Sequence, residues 1–168
     1  MIFAFDTYYK ENKARTVCLG FENWTDQDAT LELIEDLDVP SDYIPGEFYK
    51  RELPCIMSVI QQLTLQKEDL IIIDGFVVLD DMGKLGLGGH LYQELNKQIT
   101  IVGVAKSNFA TLNTLKREVL RGESKRPLYI TCLGADLDDM AQCVQRMYGE
   151  YRIPDILKKL DQKTKLLI

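Results

Sequence analysis

The chain is poor in the side chains that build most metal and nucleophile sites: it has one His and four Cys in 168 residues. The single His90 excludes any mechanism that needs two imidazoles. Cys18, Cys55, Cys132 and Cys143 form no CxxC pair and lie far from His90, so zinc-site spacing is missing. They read as free thiols packed as small hydrophobes. No segment approaches the roughly 20 apolar residues needed to cross a bilayer. No basic region followed by an apolar stretch and a cleavage site opens the chain, so a cytoplasmic location is expected. The composition, 46% hydrophobic and 27% charged, is that of an ordinary globular protein, and the length predicts one domain over residues 1–168.

Net charge is -6, unpromising for a nucleic-acid binder until its distribution is considered. Residues 1–83 hold 6 basic and 17 acidic side chains, residues 84–126 hold 8 basic and 3 acidic, and residues 127–168 hold 6 of each. Either these are two solvated faces of opposite sign, or a basic strip lies beside an acidic centre, as a phosphodiester substrate requires.

Met1 to Asp6 reads as a short apolar strand closed by a carboxylate, and Lys13 to Phe21 as a second strand. Ala29 to Leu37 fits a strand or a helix. Pro40 to Gly46 reads as a loop. Leu53 to Leu65 has helical apolar spacing, with Pro54 in its first turn. Leu70 to Ile73 is a continuous β-branched run, as in a strand covered on both faces. A Gly-rich loop, Gly83 to Gly89, leads to a helix over His90 to Asn96, then a strand over Ile99 to Val104. Leu112 to Gly122 is amphipathic or irregular. A strand over Leu128 to Cys132, a helix over Leu137 to Tyr148 and a last helix over Ile156 to Lys165 complete the chain. Strands that first meander and then alternate with helices predict an α/β fold, a mixed central sheet with helices on both faces.

Asp6 and Asp74 both close apolar strands. Each alone could merely cap a turn. On neighbouring strands, two such carboxylates repel unless a proton or cation lies between them. Hard oxygen donors of this kind suit Mg²⁺, with Mn²⁺ able to substitute.

Collinear motifs surround these acids. Asp6-Thr-Tyr-Tyr is followed by Ala14-Arg15 entering the second strand. Tyr43-Ile-Pro-Gly is followed by Arg51-Glu52. Asp69-Leu-Ile-Ile-Ile-Asp-Gly, Leu85-Gly-Leu-Gly-Gly-His, Gly103-Val-Ala-Lys-Ser, Arg126-Pro-Leu-Tyr-Ile and Tyr151-Arg-Ile-Pro-Asp-Ile-Leu-Lys-Lys-Leu-Asp come after. In this order, over nearly the whole chain, they resemble the endonuclease V family. The resemblance implies a ribonuclease-H-like fold and a Mg²⁺-dependent endonuclease that cuts on the 3′ side of deaminated bases, notably inosine in DNA or RNA, in DNA repair or RNA processing. It implies Asp6, Glu52 and Asp74 as catalytic metal ligands, Asp161 as a further ligand, and Lys106 near the scissile phosphate. Tyr43, Ile44 and Pro45 correspond to the loop that wedges into the duplex. Arg51, Lys84, Lys116 and Arg117 are the expected nucleic-acid contacts. Two departures stand out: Phe76 and Ala135 occupy positions matched to family histidines, which predicts a slow enzyme that Ala135→His would accelerate, with neighbouring Asp136 as a partial substitute. His90, at a helix start, is expected to be structural. The alternative readings are a relative that binds nucleic acid or a partner without cutting, and a phosphate-handling enzyme on a small substrate.

Overall fold

In the computed structural model, which describes residues 1–39, 48–109 and 111–166, the chain builds one mixed sheet between two layers of helices. Its strands are β1 (Ile2–Lys10), β2 (Lys13–Phe21), β3 (Leu31–Asp38), β4 (Leu70–Asp74), β5 (Thr100–Ala105), β6 (Arg117–Val119) and β7 (Leu128–Leu133). The order across the sheet is β3-β2-β1-β4-β5-β7-β6. β1, β4 and β5 run parallel at its centre, and the flanking pairs are antiparallel.

Side chains alternate between the two faces of a strand, so each central strand supplies two cores. Phe3, Phe5, Ile71, Ile73 and Ile101 pack under α1 (Phe48–Ile60) and α2 (Leu87–Glu94). Ile2, Ala4, Ile72, Val102 and Val104 pack under α3 (Leu137–Gln145) and α4 (Asp155–Thr164). Burial on both faces is why β4 reads as an unbroken run of Ile. The edge strand β3 instead alternates half-buried and exposed residues, its outer face carrying Glu32, Asp36 and Asp38 around an exposed Ile34. Charge on an unpaired edge discourages further strand addition. Among the described residues no helix is long and apolar enough to cross a membrane.

Three local readings change. β1 does not stop at Asp6: Thr7 to Lys10 pair in register with Lys13 to Thr16 through a two-residue turn whose Glu11 has φ +57°. The turn is Glu11-Asn12, and the polar stretch before it is half of a hairpin. α1 starts before its apolar spacing does, so Pro54 lies in the helix interior and not in its first turn. The stretch read as irregular contains the short edge strand β6.

Candidate metal centre

Pairing register positions Asp6 and Asp74. The parallel pairing of β1 with β4 ends at Phe5 opposite Ile73, so Asp6 and Asp74 follow side by side at the carboxyl end of the central strands. Their parity with Ala4 and Ile72 points both toward the α3/α4 face. Asp74 is followed by Gly75 at φ +126°, a conformation nearly closed to other residues. A Cβ at Gly75 would meet nothing within 4 Å, so the glycine answers to backbone conformation and not to close approach. The turn it makes crosses β5 at Gly103, where a Cβ would stand 2.5 Å from the Gly75 carbonyl oxygen. The Gly75 N–H donates to Val104 O (3.1 Å), and the Val77 N–H donates to Thr131 Oγ1 (2.8 Å). These contacts fix the Asp74 backbone.

Glu52 arrives from the opposite face, on α1. It meets the strand acids at the end of the sheet, where Asp6, Thr7, Glu52, Asp74, Phe76 and Lys106 line one open depression. A second hollow, on the α4 side, is lined by Asp6, Asp74, Lys106 and Asp161. Asp161 is half-buried on α4, which packs on β1 and β2. The structure thus brings Asp6, Glu52, Asp74, Lys106 and Asp161 to one place.

Electrostatics mark the place as short of positive charge. Asp6 is pushed up from 3.8 to about 7 by burial, then by Asp74 and Asp161, with Lys106 and the Thr7 N–H opposing. Glu52, buried, is pushed up from 4.5 to about 8 by burial, then by Asp6 and Asp74. Asp74 is exposed as a residue, yet the protein around its carboxyl still raises its pKa; Lys106 and Lys165 oppose the rise, while Asp161 adds to it. A carboxylate in this state takes up either a proton or a cation. The donors are all oxygen, with no thiol or imidazole in either lining, which fits a hard divalent ion. Among the described residues no three acidic, His or Cys groups yet close into a metal-holding cluster.

The other expected contacts are scattered. The Arg51 guanidinium lies 3.7 Å over the Tyr9 ring, with its Nε and the Tyr9 hydroxyl buried and without a hydrogen-bond partner among the described residues. Lys84 is exposed on the Gly-rich loop. Lys116 bonds Asn108 and stands 5.3 Å over the Tyr129 ring. Arg117 is tied to Asp138 of α3 at 2.6 Å, so the expected strip does not extend freely to β6. Tyr43, Ile44 and Pro45 lie outside the described residues. His90 stacks on Tyr49 at 3.6 Å and 14°, joining α2 to α1, as a structural residue would. Phe76 does line the depression, tilted against Phe109 at 5.7 Å.

Ala135 is the clear correction. β7 runs antiparallel to β5, so its carboxyl end reaches the start of β5: Leu133 pairs with Ile101, and the Thr100 hydroxyl donates to Gly134 O at 3.1 Å. Asp74 is level with Val104, four residues further along. At about 3.3 Å per residue that is roughly 13 Å, too far for any side chain at Ala135 to reach the acids. Asp136 is no substitute either; it caps α3 by accepting the Asp139 N–H.

Two contributors escaped the sequence reading. Thr7 faces Glu52, gives it a side-chain hydrogen bond, and is braced by the Thr16 hydroxyl at 2.9 Å. Lys165 pairs with Asp161. Thr7 lies within the Asp6-Thr-Tyr-Tyr motif but carried no role there, and Lys165 lies outside the motifs; the β1–β2 register and a helical turn bring them in.

A mixed sheet in this order, with acids at the carboxyl end of its central strands and one more on α1, is a ribonuclease-H-like nuclease fold. The family model for endonuclease V matches residues 1–131, and the chain belongs to that family. An endonuclease V from Bacillus thuringiensis subsp. konkukian (strain 97-27) is 25% identical over 182 residues, spanning 94% of this chain and 76% of the relative. Among solved structures, endonuclease V of Ciona intestinalis in complex with a 24mer DNA containing an inosine followed by a ribo-adenosine aligns at TM-score 0.79 and 16% identity, over 98% of this chain and 84% of that one. Human endonuclease V aligns at TM-score 0.72 and 21% identity, over 98% and 82%.

Proposed function

We propose that this chain is a divalent-metal-dependent endonuclease that hydrolyses a phosphodiester near a deaminated base, inosine, in DNA or RNA. The observation that carries the reading is the meeting of Asp6, Glu52, Asp74 and Asp161 beside Lys106 at one sheet end, with too little positive charge to balance them. Asp6, Glu52 and Asp74, joined by Asp161, would hold Mg²⁺ or Mn²⁺. When bound, such an ion activates water and stabilises the leaving oxygen. The chain's own part is to orient and to neutralise. The Thr7 N–H fixes Asp6 at 2.9 Å and the Thr7 hydroxyl holds Glu52, while Lys106 offers its ammonium to a phosphate oxygen at the rim. The inosine substrate is carried over from the relatives, including the Ciona enzyme seen with inosine-containing DNA.

The test is incubation with inosine-containing and matched control DNA and RNA under Mg²⁺ and Mn²⁺. Cleavage dependent on inosine and metal supports the reading. A protein that binds these strands without cutting under either ion is instead a binding module, the reading favoured by the acidic β3 edge and by an Arg117 already committed to Asp138.

A further inference from the structure

Lys165 closes the last turn of α4 with its ammonium on both oxygens of Asp161, 3.0 Å from one and 3.1 Å from the other. As a helix pair four residues apart on open surface this would be ordinary, and worth little. Its surroundings are not ordinary. Asp161 lines the hollow with Asp6 and Asp74. The same ammonium stands 5.8 Å over the ring of Tyr8, the β1 residue that follows Thr7 and is itself exposed. Asp161 comes from α4, whereas Lys106 comes from the end of β5 on the far side of β4, so the two lysines flank the acids from different elements. Half-exposed and on a flexible four-carbon stem, Lys165 can leave Asp161 without disturbing the fold.

We propose that Lys165 is a phosphate-binding residue held in reserve: its ammonium occupies Asp161 in the metal-free protein and passes to a backbone phosphate of the nucleic-acid strand when a divalent cation takes that carboxylate. This rests on the nuclease reading of the same site. A cation on Asp161 competes for the oxygens that hold the ammonium. The freed charge then stands beside Tyr8, which keeps it near the strand by cation–π attraction. Metal loading thereby does two things at once: it neutralises the acids that repel the backbone, and it releases a cation to bind it.

The test is the affinity of a labelled single-stranded inosine oligonucleotide for wild type, Lys165→Met and Lys165→Arg, each in EDTA and in Ca²⁺, across a series of salt concentrations. In Ca²⁺ the Met variant is expected to bind several-fold more weakly and to lose about 0.7 from the salt slope, the share of one phosphate contact on a single strand. Lys165→Arg, which keeps the charge, should restore both. In EDTA the Met variant should lose clearly less than in Ca²⁺ and keep the wild-type salt slope, because there the ammonium is held by Asp161 and its removal only unmasks that carboxylate. Equal slopes for wild type and Met variant in Ca²⁺, or an equal loss in both media, overturn the assignment and leave the nuclease reading standing. A wild type that binds no strand in either medium takes down both. Unchanged thermal unfolding of the Met variant shows that the loss is not structural.

Discussion

At the end of the sheet where β4 begins, Asp69 is buried and well supplied: the Met1 amino group and the Gln66 N–H both donate to it at 2.7 Å. Toward the same end of the sheet Asp136 caps α3. At the opposite end Asp6 is equally buried, yet among the described residues it accepts from the Thr7 N–H alone, and its charged neighbours are three acids, Glu52, Asp74 and Asp161, against one lysine, Lys106. Both ends carry aspartates on or beside the central strands. One set finishes the structure and the other is left in need of positive charge. A buried acid is thus uninformative alone; what separates structure from site is whether the fold itself supplies the partners.

The contrast breaks most completely at Asp74. Asp74→Ala is expected to abolish cleavage of inosine-containing strands while leaving the circular dichroism spectrum unchanged. Metal-free stability should hold or rise, because a like charge leaves the acidic end. Removing Asp69 should do the reverse, lowering stability with activity retained in the folded fraction. Loss of stability in Asp74→Ala comparable to that in an Asp69→Ala control would erase the distinction between the two ends.

The next largest effect is the pH dependence of metal-free stability. Asp6 titrates near 7 when folded against 3.8 in an unfolded chain, and Glu52 near 8 against 4.5. The folded protein therefore holds these protons more tightly, and the stability they contribute is present in full below about pH 4 and lost as pH climbs through 7 to 8. At about 1.4 kcal/mol per pKa unit the Asp6 shift alone sets an upper scale of roughly 4 kcal/mol. Denaturant titrations in EDTA should show stability falling between about pH 4 and pH 8, with Asp6→Asn flattening the curve and Mg²⁺ restoring the loss at high pH. A metal-free curve that rises over this range would overturn the electrostatic account.

A smaller effect separates the basic residues. Lys106→Ala should weaken oligonucleotide binding and reduce the salt slope by about 0.7, one phosphate's share on a single strand. Arg117→Ala should change binding much less, since that guanidinium is already paired with Asp138. Equal losses would mean that the strand does reach β6.

Much of this was legible in the sequence because it is local. The apolar run ending in Asp74 announces a strand end, the run ending in Asp6 marks the buried part of a strand that continues to Lys10, and the Ile71–Ile73 run announces a strand buried on both faces. The Glu after Arg51 and the Asp near the end of α4 were visible through motifs, and the fold brings both to the same place. What was not legible depends on direction and register. Thr7 looks like a residue beyond the first strand until its pairing with Thr16 is known. Lys165 looks like solvent-facing charge until Asp161 is placed in the hollow.

Ala135 shows the same limit most sharply and gives the smallest expected effect. From sequence it is a residue shortly after a buried strand, as Lys106 is after β5. The direction of β7 reverses the conclusion, because an antiparallel strand delivers its carboxyl end to the other end of the sheet. Ala135→His should therefore leave Mn²⁺ affinity and cleavage rate within about twofold of wild type, well short of the 10²-fold or more that a positioned acid–base group supplies. The informative partner is Phe76→His, since Phe76 lines the depression with Asp74 and Lys106. An imidazole there can reach a bound cation, and Mn²⁺ titration followed by calorimetry should show tighter binding for that variant alone. If Ala135→His tightens Mn²⁺ binding and Phe76→His does not, the assignment of the two sheet ends is wrong.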